Sequence, residues 1–196
     1  GSGDWEACQA YRDAGYIVVL PILRAENGNP GHFEMMFGEV ADVIAAGKAA
    51  KKLRYVDPNR IFVSGHSIGG IHAMLAAMMD SPFRAAASFG GTPDQKPRFL
   101  PGEDSIPFNR HDSREVALRS PSRYPASLRC PLQIYYGEEE RERFDEPCAS
   151  LAEAAKSSGK TCGVTVVAGD HWQALAPAIL ESLKFFESVE RAKGDR

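Results

Sequence analysis

Ser67 stands in Gly65-His66-Ser67-Ile68-Gly69, between an apolar run, Ile61-Phe62-Val63, and a helical run, Ile71 to Met79. A serine hydroxyl attacks a carbonyl only when a base takes its proton and an acid orients that base. Gly-x-Ser-x-Gly at a strand-to-helix junction is the spacing that lifts such a hydroxyl clear of the backbone. The residues two before and two after the serine approach each other in that turn. A side chain at Gly65 or Gly69 is expected to clash there. The N–H of Ile68, opening the helix, then faces developing negative charge, aided by the helix dipole. The chemistry this pattern supports is attack on an ester or amide carbonyl through an acyl intermediate.

The base must come from elsewhere in the chain. His171, in Gly169-Asp170-His171-Trp172, follows the apolar run Val164 to Val167. Acids crowd after Gly137: Glu138, Glu139, Glu140, Glu142, Asp145 and Glu146. One carboxylate can face an imidazole, and the others read as a solvated charge run. The order along the chain is serine, acid, histidine. Other candidates read as structural. His72 lies in the helix after the serine, His111-Asp112 reads as a surface loop pair, and Arg24, Glu26 and Asn27 read as loop-bracing or solvated. Met35 and Met36 read as core filler.

These side chains meet only if particular elements position them. Asp4 to Ala14 has helical spacing, and Gly15 stops it. Tyr16 to Leu20 is a continuous apolar run, as in a strand buried on both faces. Helical pattern runs from about Phe33 to Leu53. Arg60 to Ser64, Ala85 to Phe89, Leu132 to Tyr136 and Val164 to Val167 read as further strands. Helices are expected at Ser113 to Arg119, Cys148 to Ser158 and Pro177 to Ala192. Strands alternating with helices predict a three-layer α/β/α sandwich around a mostly parallel sheet, whose strand ends gather the chemistry at one edge. The 196 residues fit one domain, 1–196, and the proline-rich stretch at about 92–129 is expected to form a lid or pocket wall.

Composition narrows the partners. The net charge is −3 with no basic stripe, which disfavours nucleic acid. No apolar run reaches the ~18–20 residues of a membrane span. The four cysteines, Cys8, Cys130, Cys148 and Cys162, form no Cys-x-x-Cys pair, and His-Glu-x-x-His is missing. No metal or organic cofactor is therefore expected. Gly1-Ser2-Gly3 lacks signal-peptide character, which favours a cytoplasmic protein, and the chain reads as beginning partway into a domain.

Asp57-Pro-Asn-Arg-Ile-Phe-Val-Ser-Gly-His-Ser-Ile-Gly-Gly70 resembles the nucleophile region of the prolyl oligopeptidase family and its dienelactone-hydrolase-like relatives. Tyr16-Ile-Val-Val-Leu-Pro21, Arg119-Ser-Pro-Ser-Arg-Tyr124, Cys130-Pro-Leu-Gln-Ile-Tyr-Tyr-Gly137 and Gly169-Asp-His171 extend the likeness over nearly the whole chain. The resemblance implies an α/β-hydrolase fold and peptide or ester hydrolysis by a serine hydrolase. It places the acid three after the strand-ending glycine, at Glu140, where the family more often has aspartate; Asp145 is the alternative. It also implies a His-Gly segment with a second oxyanion donor, which does not precede Asp4. A further strand is implied between those at Tyr16 and Arg60. Either those two strands pair directly, or a partner chain or second copy completes the sheet. Weak activity of these residues alone is the corresponding expectation. The competing expectation is a non-catalytic domain of the same fold that binds a ligand or a partner subunit.

Overall fold

Three consecutive alanines open the strand Ala85–Phe89, and every residue of it is buried. Such a strand belongs in the middle of a sheet, where small side chains let helices approach on both faces. A computed structural model of the chain describes residues 7–96 and 106–194. It places four parallel strands in the order of the chain: β1 (Phe62–His66), β2 (Ala85–Phe89), β3 (Leu132–Gly137) and β4 (Cys162–Val167). Six α-helices accompany them among the described residues: α1 (Gln9–Asp13), α2 (Gly38–Ala50), α3 (Ile68–Met78), α4 (Ser113–Leu118), α5 (Arg141–Ser157) and α6 (Leu175–Gly194).

Alternation along the strands sorts the core into two layers. Val63, Ala86, Leu132, Ile134 and Tyr136 pack with Val40 and Ile44 of α2, Ile71 and Met74 of α3, and Phe144, Cys148 and Leu151 of α5. Ala85, Ala87, Phe89 and Tyr135 face the opposite way, against Ala178, Ile179 and Phe186 of α6 and Tyr11 of α1. The hydroxyls of Tyr11 and Ser182 lie 2.6 Å apart and join α1 to α6. The expected three-layer α/β/α arrangement is therefore observed. Burial pushes the thiols of Cys130, Cys148 and Cys162 up to about 12, so they remain protonated. No helix among the described residues is long and apolar enough to cross a membrane.

The structure corrects several expectations. Tyr16 to Leu20 is not a strand. The Tyr16 N–H donates to the Tyr11 carbonyl, and the Tyr16 ring meets Phe62 edge-on at 6.0 Å. Ile17 and Val19 are 56% and 50% exposed rather than buried. An apolar run joins a ladder only where a neighbouring strand offers its amides and carbonyls. No described strand lies beside it, and β1 pairs with β2 alone. Further on, α5 starts at Arg141 rather than Cys148 and carries Pro147 inside it. The charged run is thus its first turns, preceded by a 3₁₀ turn, Glu138–Glu140. The first helix is described from Gln9, so its expected start at Asp4 lies outside the described residues.

Residues 97–105 of the expected lid stretch also lie outside the described residues. The rest of it is tied down by Arg119, which is 3% exposed. Its guanidinium donates to the carbonyls of Met35 at 2.6 Å and Glu34 at 2.8 Å, and to the Glu115 carboxylate at 2.7 Å. It lies 3.7 Å from the centre of the Phe108 ring. Met35 and Met36 both have positive φ, 52° and 62°, and this clamp holds the strained pair in place. Arg24 braces the same loop through a two-pronged bond to Asp42 at 2.9 and 2.8 Å, which holds the Asp42 carboxyl below its ordinary range. Asp112 caps α4 by accepting from Arg114 N–H at 2.9 Å, so the His111-Asp112 pair is structural, as expected.

His72 is 6% exposed on α3, and burial lowers its pKa below the ordinary 6.5, against the opposing pull of Glu39, Glu26 and Asp42. A histidine held neutral in the fold gains its proton more readily when unfolded, so its contribution is present above the unfolded pKa and is lost as pH falls. Unfolding midpoints in urea are expected to fall as pH drops below about 6.5. His72→Leu should flatten that dependence without abolishing it, because His66 shifts in the same direction.

Candidate active site

All four strands run the same way, so His66, Phe89, Gly137 and Val167 end at one edge of the sheet. Ser67 follows β1 immediately and serves as the N-cap of α3 with φ 55° and ψ −116°. This backbone conformation is strained for a residue with a side chain, by about 1–3 kcal/mol. The Ser67 N–H donates to the Phe89 carbonyl at 2.8 Å, which anchors the turn to the next strand. Ile68 opens α3, so no carbonyl of a preceding helical turn accepts its N–H.

A Cβ on Gly65 would fall on the Gly69 carbonyl and lie 2.9 Å from the Gly69 Cα. The expected clash is therefore real at Gly65. At Gly69 it is not: a Cβ there meets nothing within 4 Å, because the position points away from β1. The second close approach falls at Gly70 instead, where a Cβ would lie 2.6 Å from Ser88 Oγ.

Glu140 ends the 3₁₀ turn after Gly137, and His171 lies in the loop after β4. His171 Nδ1 lies 2.9 Å from Glu140 Oε1. A carboxylate accepts, so Nδ1 carries a hydrogen, and in the neutral form of the ring Nε2 is then the nitrogen with the free lone pair. Both side chains are largely buried, at 24% and 13% exposure. Asp145 is engaged elsewhere: it accepts from Tyr136 Oη at 2.5 Å and from Arg141 at 3.5 Å. Among the described residues, no hydrogen bond joins Ser67 to His171.

Several residues that shape this edge were not picked out by motif. Gly90 has φ 59°, and a Cβ there would lie 2.8 Å from His171 Cε1, so the imidazole rests over a bare backbone. Asp170 accepts from the N–H groups of Trp172 and Gln173, both at 2.8 Å, and these bonds lower its pKa. It thereby folds the loop around His171, and Asp followed by amides two and three residues on is a legible turn signal. His66 Nε2 lies 2.9 Å from the His171 carbonyl oxygen. A cavity of about 10 Å³ is lined by His66, Gly90, Tyr135, Glu140 and His171 among others, and the buried Glu140 Oε2 has no hydrogen-bond partner among the described residues.

The sequence profile of the prolyl oligopeptidase family matches residues 4–127, which include the Ser67 turn. The chain belongs to that family. Solved structures agree on the fold. Dipeptidyl peptidase 4 of Porphyromonas gingivalis is similar at TM-score 0.66 and 21% identity, over 79% of this chain and 23% of its own. A puromycin-hydrolyzing peptidase of Mycobacterium tuberculosis gives 0.66 and 20%, over 80% of this chain and 26% of its own. A thermophilic esterase of Thermogutta terrifontis gives 0.60 and 23%, over 77% of this chain and 65% of its own. The chain thus spans about a quarter of the length of the two peptidases. No curated protein matches it. The four parallel strands and flanking helices are those of an α/β-hydrolase fold.

Gly65→Ala is expected to destabilise the protein by several kcal/mol, because the new atom meets backbone that cannot move aside. Gly69→Ala should cost nothing or add up to about 1 kcal/mol, since alanine favours a helix and the site is open. Urea melts of the two variants check this contrast.

Proposed function

We propose that this chain is a serine hydrolase that cleaves an ester or peptide bond through an acyl-enzyme. In this reading Ser67 attacks the carbonyl. His171 Nε2 takes the serine proton and returns it to the leaving group. Glu140 holds the imidazole in the required tautomer and stabilises it when charged, and the Ile68 N–H receives the oxyanion. The observation that carries the reading is the 2.9 Å bond between His171 Nδ1 and Glu140 Oε1 at the sheet edge where Ser67 sits in a strained turn. Family membership supports the same chemistry. The missing Ser67–His171 bond is compatible with it, because such bonds commonly tighten only when substrate binds.

The substrate class is proposed from relatives that are peptidases and esterases. The stretch at about 92–129, whose Arg119 is bonded to the loop before α2, is proposed as a wall of the substrate pocket within a single domain, residues 1–196. The single ladder of β1 and the exposed Ile17 and Val19 support a further strand at that edge, from a partner chain or a second copy.

A fluorophosphonate probe should label Ser67, and Ser67→Ala should abolish labelling. Glu140→Gln should slow acyl p-nitrophenyl ester hydrolysis roughly 10³–10⁴-fold, as expected when the imidazole loses its orienting carboxylate. Asp145→Asn should stay within about threefold of the parent, since that carboxylate serves Tyr136 and Arg141. A folded protein that refuses the probe would instead support the non-catalytic, ligand- or subunit-binding reading. Proline-containing peptides assayed beside the esters separate peptidase from esterase.

A further inference from the structure

His66 ends β1 and immediately precedes Ser67. Its Nε2 lies 2.9 Å from the carbonyl oxygen of His171. A carbonyl can only accept, so Nε2 carries the hydrogen and donates it. The His66 ring lies 4.5 Å, centre to centre, from the His171 ring and 5.0 Å from the Trp172 ring. The titratable groups facing it are His171 and Glu140. Burial, its strongest influence, lowers the His66 pKa, while the bond to the His171 carbonyl pulls the other way. His66 therefore stays neutral near pH 7.

The loop that carries His171 leaves β4, three ladders away from β1. Its other anchors hold it to the turn after β3 or to itself. Glu139 N–H donates to the Gly169 carbonyl at 3.3 Å, Glu140 receives the imidazole, and Asp170 caps the turn. Among the described residues, the His66 bond alone joins residues 168–173 to residues 62–70 by a hydrogen bond. The base would otherwise hang from one side of the sheet and the nucleophile from the other, with no polar link between their backbones.

We propose that His66 is a positioning residue whose Nε2–H, held to the His171 carbonyl, sets the placement of the His171 imidazole relative to Ser67. The inference rests on the reading of Ser67 as nucleophile and His171 as base. His66 touches no reacting atom in it, and acts through His171.

Two amides of different reach test the idea. His66→Gln can place its Nε2 near the position of the imidazole Nε2, whereas His66→Asn falls short of it. With p-nitrophenyl esters, His66→Gln is expected to keep kcat within about threefold of the parent, and His66→Asn to lose roughly tenfold or more in kcat with KM nearly unchanged, as for a misplaced catalytic group. Fluorophosphonate labelling of Ser67 should slow in parallel. Thermal midpoints confirm that both variants fold, and His66→Met, apolar and of similar length, replaces the asparagine variant if that one does not. Equal kcat in all variants, an equal fall in both amide variants, or a loss confined to KM overturns the proposal. A folded parent protein that does not label at Ser67 overturns the hydrolase reading, and this inference with it. Labelling of the parent with flat variants overturns only the inference.

Discussion

Between β1 and α3 the backbone reverses from extended to helical within a few residues, and the only room for that reversal is the space a Cβ on Gly65 would fill. The strain falls on Ser67, at φ 55°, rather than on a glycine. A serine in such a conformation persists only where its surroundings over-determine it. Here the Phe89 carbonyl holds its N–H, and α3 packs against both β1 and β2. The fold around it follows: small alanines in β2, and bare glycines at 70 and 91 that pack against Ser88 Oγ and each other, let helix and strand ends come close enough to fix the turn.

The same economy of side chains governs the base. Gly90 leaves a floor for the His171 ring, and a Cβ on Gly137 would meet the Gly169 carbonyl, so the loop after β4 can lie flat across the end of β3. The carboxylate that meets the ring comes from a single 3₁₀ turn after β3. The bond to Glu140 then fixes which ring nitrogen carries a hydrogen, because the nitrogen facing the carboxylate must donate.

Much of this arrangement is legible in the chain itself. Ser67 and His171 were legible because each follows an apolar run that becomes a strand, and parallel strands deliver their ends to one side. The acids after Gly137 were ambiguous on residue type alone, and the family resemblance favoured Glu140. In the structure Glu140 lies on the turn before α5, whereas Asp145 lies on α5 and meets Tyr136 and Arg141. The start of that helix was illegible because Pro147 reads as a boundary, yet the helix runs through it. Tyr16 to Leu20 misled for a different reason. Its composition is that of a buried strand, but pairing is a property of two segments, and one segment's sequence does not carry its partner. Gly69 misleads because motif symmetry suggests a clash there, whereas the second close approach falls one residue on, at Gly70. His66 is not legible because the motif treats its position as free, and its partner is a backbone oxygen 105 residues away.

The strand that leads into Ser67 lies at one border of the described sheet, as β4 lies at the other, and among the described residues it is laddered on one side only. Backbone amides with a single row of partners breathe more readily than those in the middle of a sheet. The Ser67 hydroxyl therefore follows an edge strand rather than a central one. Its stiffness has to be borrowed from α3 behind it and from the rim contacts in front of it.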